Sequence, residues 1–217
     1  MENNYKVLDL EKYYRKGVYN HFTKDCKCSV SITNMVDVTA LVKKSKETNT
    51  KLYINFLYCL AKALNSRDDY KMVFKWQTNE VLVYDKVNVT HYVFDIESET
   101  CTPVYTEYDE NYDAFYDRCT KDIENAKRIG GYMLDSENHP NYFDASYISW
   151  ISYESLNIEL PDGHLYYQPI INWGRYEEES GKYLMPVTVR LNHAVADGYL
   201  VSKVFLTLEN EIKKFFN

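Results

Sequence analysis

The chain has 217 residues, of which 45% are hydrophobic and 26% charged, and its formal net charge at pH 7 is −7. This length and apolar content suit one globular domain, residues 1–217, with a sizeable core. An acidic chain without a long basic run argues against nucleic acid as a partner. The longest apolar stretch, residues 52–64, is too short to span a bilayer, so no membrane partner is expected.

The cysteine content and the N-terminus bear on the cellular compartment. The first residues lack the basic and apolar segments of a secretion signal. Five cysteines without a disulfide-like framework are typical of reduced thiols, so we expect a cytoplasmic protein. Cys26 and Cys28 form the one close pair, and no further ligand lies at a matching spacing. We therefore expect structural thiols there and no metal site.

Hydrophobic periodicity predicts the elements in chain order. Helices are predicted over residues 10–18, 38–45, 53–64, 111–129 and 199–216. Strands are predicted over residues 29–33, 80–89, 91–96, 101–105, 146–158 and 183–191, with a turn at 161–163. The fourth helix ends at Gly130-Gly131, a typical stop signal. Strands interrupted by helices in this way predict an α/β fold, in which helices pack against a mixed sheet.

The most informative segment joins the last predicted strand to the last predicted helix. There His193, Asp197 and Gly198 stand in the order His-x-x-x-Asp-Gly. A histidine just past a strand end is held by a rigid scaffold and titrates near neutrality, so it can serve as a base at pH 7. Asp197 can cap the helix or pair with a cation. Taken alone, the pattern also arises by chance, and the alternative is a core histidine.

The letters around His193 resemble the active-site signature of the chloramphenicol acetyltransferase family, which typically reads His-His-Ala-Val-Cys-Asp-Gly-Phe. Here residues 192–199 read Asn-His-Ala-Val-Ala-Asp-Gly-Tyr. The approach through Gly174-Arg175-Tyr176 and Leu184-Met185-Pro186 follows the family spacing without an insertion. The resemblance implies the coenzyme A-dependent acyltransferase fold, a two-layer α/β sandwich with a mixed sheet.

Four catalytic residues are implied by this resemblance. His193 is the expected general base, which removes the proton of an acceptor hydroxyl as its oxygen attacks acetyl-coenzyme A directly. Ser152 lies in a segment similar to the family's Phe-x-Ser-Phe and is the expected oxyanion donor, a contact that can lower a barrier by roughly 3 kcal/mol. Asp197 is expected to pair with Arg15, which stands where the family has Trp-x-Arg, and so to brace the histidine loop.

The resemblance also implies substrate-binding positions. Coenzyme A would contact Lys51, Arg175 and Tyr176, through cations for a phosphate and a ring for packing. The implied acceptor pocket comprises Phe22, Cys28, Val30, Cys101 and Asn172. Except for Cys28, these residues differ from the family's usual tyrosine, phenylalanine, phenylalanine and threonine. Because aromatic rings are lost, we expect a reshaped pocket and a lower affinity for chloramphenicol than in resistance enzymes.

The function implied by the resemblance is acetyl-coenzyme A-dependent O-acetylation, with chloramphenicol as the leading acceptor and antibiotic resistance as its setting. In the family three subunits pack so that His193 of one would face its neighbour's pocket, so a homotrimer is expected. Three alternatives stay open. They are the same chemistry on another small hydroxyl compound, a non-catalytic homologue, and a dihydrolipoyl acyltransferase core, whose lipoyl segments and flexible linkers this sequence does not show.

Overall fold

The computed structural model describes residues 4–131, 138–161 and 164–215. Within these ranges there are five α-helices and ten β-strands. The helices are α1 (Lys16–Lys24), α2 (Thr39–Glu47), α3 (Leu52–Asn65), α4 (Tyr112–Ile129) and α5 (Gly198–Lys214). The strands are β1 (Tyr5–Val7), β2 (Ser29–Asp37), β3 (Met72–Lys75), β4 (Glu80–Tyr84), β5 (Asn88–Asp95), β6 (Thr100–Thr106), β7 (Tyr142–Ile148), β8 (Ile170–Gly174), β9 (Glu177–Glu179) and β10 (Lys182–Asn192).

The larger of the two sheets is mixed and carries the candidate site. Its strands run in the order β2-β10-β8-β7-β5-β6, and β9 pairs with the end of β10. The β5–β7 and β7–β8 pairs are parallel, whereas β6, β8, β9 and β10 pair with their other neighbours in antiparallel fashion. The smaller sheet, β1-β4-β3, is antiparallel. The predicted α/β fold with a mixed sheet is therefore confirmed.

One apolar core joins the helices to the larger sheet. Every residue of α3 from Ile54 to Ala61 is buried, which accounts for the long apolar run in the sequence. The residues of α5 that recur at helical spacing, from Val201 to Ile212, lie in the same core. Every residue of β10 from Met185 to Asn192 is also buried. Among the described helices, none is long and apolar enough to cross a membrane.

The predicted elements differ from the structure in several places. The segments 80–89, predicted as one or two strands, and 91–96 form β4 and β5, which are separated at residues 85–87. Strands β1, β3, β8 and β9 were not predicted. Helix α1 begins at Lys16, because the side chain of Asp9 accepts hydrogen bonds from the amides of Glu11 and Lys12 and holds the preceding residues in a turn. The strand predicted over residues 146–158 is β7, which ends at Ile148 before a turn, so most of that segment is a loop. The predicted turn at 161–163 lies partly outside the described residues.

The loop after β7 passes very close to Gly174 at the end of β8. A Cβ atom at position 174 would lie 2.9 Å from the backbone oxygen of Ile151, 2.9 Å from Pro186 Cγ and 3.0 Å from Tyr153 Cδ1. The Arg175 amide donates a 2.8 Å hydrogen bond to that same Ile151 oxygen. Glycine is therefore needed here for close approach of two backbone segments.

We predict that Gly174→Ala lowers the free energy of unfolding by about 1–3 kcal/mol, because an added methyl group overpacks this contact. The control is Gly17→Ala in α1, where nothing lies within 4 Å of the added Cβ. Urea titration of both variants and the wild type measures the effect. Equal stability of the two variants would contradict the close approach.

Candidate active site

The loop that carries His193 is held by backbone hydrogen bonds at the end of β10. The His193 amide donates a 3.0 Å bond to the carbonyl of Cys28. The side-chain oxygen of Asn192 accepts from the Ala194 amide at 3.0 Å, and its carbonyl accepts from the Val195 and Ala196 amides. These hydrogen bonds therefore fix the backbone of His193, and none of them involves its imidazole ring.

The His193 ring is held by stacking. Its centroid lies 3.6 Å from that of Phe22, with 12° between the two planes. The ring is half-buried, and its Nδ1 is without a hydrogen-bond partner in the described parts of the chain. In the described structure no carboxylate bonds to this Nδ1, and packing against α1 orients the imidazole.

Arg15 and Asp197 form an ion pair beside this loop. Arg15 Nη2 lies 3.0 Å from Asp197 Oδ2, and the arginine side chain is 11% exposed. Asp197 Oδ1 also accepts a 3.1 Å hydrogen bond from the Leu200 amide, so the aspartate caps α5 as well. Burial acts to raise the pKa of Asp197, but the Leu200 amide and the Arg15 guanidinium outweigh it and lower the pKa. Asp197 is therefore ionised at neutral pH and suits a bracing role better than a proton-transfer role.

Ser152 lies in the loop after β7. It shares a cleft with β2 and β9, here called the Ser152 cleft. The lining residues are Thr33, Asn34, Met35, Ser152, Tyr153, Glu154 and Glu177. The Tyr153 hydroxyl donates to the Asn172 carbonyl at 2.9 Å and accepts from Thr188 Oγ1 at 3.1 Å. These bonds tie the loop to β8 and β10, so they fix Ser152 over the sheet.

Ser152 and His193 lie apart within one chain. Asn34 lines the Ser152 cleft, whereas Ser29 pairs with Asn192, the residue before His193. Asn34 lies five positions further along this extended strand than Ser29, which corresponds to a length of about 16 Å. A single chain therefore does not bring the two residues within reach of one reacting carbonyl.

The five acceptor-pocket candidates divide between these two places. Phe22 stacks on His193, the Cys28 carbonyl holds the His193 amide, and Val30 pairs with Leu191 at the end of β10. Asn172 is buried on β8, with its carbonyl bonded to Tyr153. Cys101 pairs with Phe94, whose ring contacts Trp150 at 4.8 Å, two residues before Ser152. Asn172 and Cys101 thus lie on the Ser152 side.

The cysteine pair does not occupy the core. Cys26 and Cys28 are both exposed in the loop between α1 and β2, so the expectation of structural thiols at these positions is wrong. The described cysteines are all free thiols. Within residues 4–131, 138–161 and 164–215, no group of three or more His, Cys, Asp or Glu side chains is arranged to hold a metal ion.

The coenzyme A candidates are surface residues at the ends of two elements. Lys51 precedes α3, is exposed, and donates its amide to the Tyr116 hydroxyl at 3.0 Å. Arg175 is exposed after β8 and lies 4.0 Å from Glu177. The Tyr176 ring packs edge-on against Tyr183 at 5.3 Å. The side chains of Lys51 and Arg175 are thus accessible to a ligand, whereas Tyr176 is half-buried.

The sequence interpretation did not include Arg190, which lines a cavity of about 340 Å³ beside the His193 loop. This space is here called the Arg190 cavity. Its lining residues are Lys27, Cys28, Ser29, Asn157, Ile158, Glu159, Leu160, Pro161, His164, Leu165, Arg190 and Asn192. The sequence contained one indication of this role, because Arg190 is the single charged residue between Tyr183 and Asn192.

Comparison with known proteins identifies the family. A family model described as chloramphenicol acetyltransferase matches residues 3–209. The chain belongs to this family. A chloramphenicol acetyltransferase of Campylobacter coli is 31% identical over 95% of this chain and 98% of its own length, and one of Clostridium perfringens is 29% identical over 93% and 91%. The family resemblance inferred from residues around His193 is therefore confirmed.

Solved structures agree on the fold. A chloramphenicol acetyltransferase structure superposes with a TM-score of 0.88 at 19% identity, over 96% of this chain and all of the other. A probable dihydrolipoamide acetyltransferase from Listeria monocytogenes has a TM-score of 0.66 at 14% identity, over 93% and 92% of the two chains. These structures establish the acyltransferase fold. The family match and the curated relatives establish the chain as an acyltransferase enzyme.

We predict that Asp197→Asn loses the ion pair but keeps an oxygen that can cap α5, whereas Asp197→Ala loses both. The alanine variant should be less stable than the asparagine variant by about 1 kcal/mol, the usual contribution of an N-cap. Because the folded-state pKa of Asp197 is lowered, its charge contributes stability above its unfolded pKa of about 3.9, and this contribution is lost as the pH falls further.

Chemical denaturation between pH 3 and pH 7 measures both effects. The stability difference between wild type and Asp197→Asn should be full at pH 7 and shrink below about pH 4. The exposed carboxylate of Asp117 on α4 provides the control variant, Asp117→Asn. A difference that is constant over this pH range would show that the charge of Asp197 does not contribute.

Proposed function

We propose that the protein transfers an acetyl group from acetyl-coenzyme A to a hydroxyl group of a small molecule, with chloramphenicol as the leading acceptor. The observation that carries this proposal is the His193 loop, in which a stacked, half-buried imidazole follows β10 and an ionised Asp197–Arg15 pair braces the turn. Family membership supports the same chemistry. We also propose a cytoplasmic protein with one domain, residues 1–217.

In the proposed mechanism His193 acts as the general base. The acceptor oxygen forms a bond to the thioester carbonyl carbon while its proton passes to the imidazole. The resulting oxyanion accepts a hydrogen bond from the Ser152 hydroxyl. When this tetrahedral intermediate collapses, the carbon–sulfur bond breaks, and the coenzyme A thiolate takes the proton back from His193. Asp197 and Arg15 hold the loop and exchange no proton.

We assign the coenzyme A phosphates to Lys51 and Arg175, because both are exposed cations, and a packing contact to the half-buried ring of Tyr176. Phe22, Cys28 and Val30 would contact an acceptor from the His193 side. Cys101 and Asn172 would contact it from the Ser152 side.

The proposed assembly is a homotrimer in which each site lies between two subunits. About 16 Å of β2 lies between Ser29, which pairs beside the His193 loop, and Asn34, which lines the Ser152 cleft. This length of strand supports the arrangement, since a hydroxyl donor and a base must reach the same carbonyl. Ser152 of one subunit would then serve the site to which a neighbour contributes His193. The reshaped acceptor positions favour another small hydroxyl compound as the second candidate acceptor.

We expect His193→Ala to abolish acetyl transfer while folding and assembly remain unchanged, because backbone hydrogen bonds to Cys28 and Asn192 hold the loop without the imidazole. The assay is release of free thiol from acetyl-coenzyme A, with and without chloramphenicol. The matched control is His139→Ala, whose ring stacks on Tyr105 at 4.3 Å. Near-normal turnover of His193→Ala would refute the mechanism.

Ser152→Ala should lower kcat by about 100- to 1,000-fold, the effect of removing one oxyanion donor, with little change in KM. Co-expression of Ser152→Ala with His193→Ala then tests the shared site. In randomly mixed trimers about one quarter of the interfaces combine an intact serine with an intact histidine, so about a quarter of the wild-type activity should return. Hybrids with no more activity than Ser152→Ala alone would contradict a site shared between subunits.

A further inference from the structure

Arg190 is a buried cation whose hydrogen bonds are incomplete. It lies in β10, is 5% exposed, and donates from Nη2 to Ser29 Oγ at 2.6 Å. Its Nη1 has no hydrogen-bond partner in the described structure. Burial lowers the pKa of the Arg190 guanidinium, and Tyr166 has a smaller opposite effect. An arginine nevertheless stays protonated at neutral pH. Among the described residues no carboxylate pairs with Arg190, and a buried charge without a counter-ion is unfavourable, so the site favours an anion.

The Arg190 cavity provides space for such an anion. Its volume of about 340 Å³ lies within the range of small-molecule sites. Asn192 and Cys28 line it, and these two residues flank and hold His193. A molecule in the cavity would therefore lie against the loop that carries the proposed base.

The charges around the cavity direct an anion to one end. Among the described lining residues, Arg190 and Lys27 are cations, Glu159 is a carboxylate and His164 carries an imidazole. The Glu159 carboxylate accepts a 3.4 Å hydrogen bond from Asn157 and is exposed at the rim. Repulsion by Glu159 disfavours an anion near the rim, whereas the buried guanidinium attracts it to the wall formed by β10.

We propose that the Arg190 cavity selects acceptors that carry an anionic group, such as a carboxylate, together with the hydroxyl group that is acetylated. This inference rests on the proposed function and names the substrate class of the same site. A planar guanidinium matches a carboxylate through two parallel hydrogen bonds, which a neutral acceptor does not form equally well. The acceptor would place its carboxylate at Arg190 and its hydroxyl at His193.

The test compares two acceptors of similar size, 4-(hydroxymethyl)benzoate and 4-nitrobenzyl alcohol. The planar carboxylate of the first and the nitro group of the second differ mainly in net charge. Thiol release from acetyl-coenzyme A gives kcat/KM for each acceptor. Wild type should prefer the benzoate by about tenfold or more, the effect of a hydrogen bond to a charged group. In Arg190→Gln the ratio should fall to about one.

Two further variants make the comparison specific. Arg190→Lys keeps the charge without the planar fork, so it should keep part of the preference. Lys24→Gln removes an exposed cation at the end of α1 that does not line the cavity, and it should leave the ratio unchanged. A ratio near one in the wild type, or the same ratio in Arg190→Gln as in the wild type, would overturn the proposal.

A binding measurement separates this proposal from the acetyl-transfer proposal. Calorimetry with 4-(hydroxymethyl)benzoate uses His193→Ala, with and without Arg190→Gln, in the absence of acetyl-coenzyme A. Binding that weakens about tenfold in the double variant supports the anion site even if no acceptor is acetylated. Chloramphenicol-dependent thiol release without any charge preference would instead leave the acetyl-transfer proposal standing and refute the anion site.

A second copy of the chain could instead supply the counter-ion. In that case Arg190→Gln would alter the assembly size in size-exclusion chromatography and leave the acceptor ratio as in the wild type. That result would also overturn the proposal.

Discussion

The site depends on one buried strand with two chemically different faces. Val187, Val189 and Leu191 of β10 are fully buried in the core shared with the helices. The alternate residues Thr188, Arg190 and Asn192 point to the opposite face, because side chains alternate along a strand. This polar face bonds the loop of Ser152 through Thr188, borders the cavity through Arg190, and shapes the His193 turn through Asn192.

Pairing on both edges fixes this strand in register. Nine residues of β2 pair with β10, and β8 pairs with it on the other side. A slip by one residue would turn the valines to the polar face and Arg190 into the apolar core, so the register is strongly specified. The positions of Ser152 and His193 along the sheet follow from that register, because one loop bonds to Thr188 and the other begins at Asn192.

Some features of this structure could be predicted from local sequence. The mixed α/β fold, the helical spacing of α5 and the order of His193 and Asp197 could be predicted from neighbouring residues. The pairing of Asp197 with Arg15 came from the family resemblance alone, since the two residues are 182 positions apart. Periodicity did not reveal that residues 149–158 form a loop, because alternation along the chain does not show whether a partner strand is present. The exposure of Cys26 and Cys28 was also missed, because the spacing of two cysteines does not show whether the loop that carries them is buried.

The position of β10 near the end of the chain also limits when the candidate active site can form during synthesis. Synthesis proceeds from the N-terminus, so Arg15, Phe22 and the whole of β2 emerge long before β10 exists. Ser29 pairs with Asn192, and Arg15 pairs with Asp197. In each pair the sequence separation is more than half of the chain length, so the first residue is synthesised long before its partner. A nascent chain that stops before β10 has no partner for Arg15, no partner strand for β2 and no His193 turn. A prematurely terminated product would therefore be inactive rather than partly active, and the unpaired β2 of such a product would be open to aggregation.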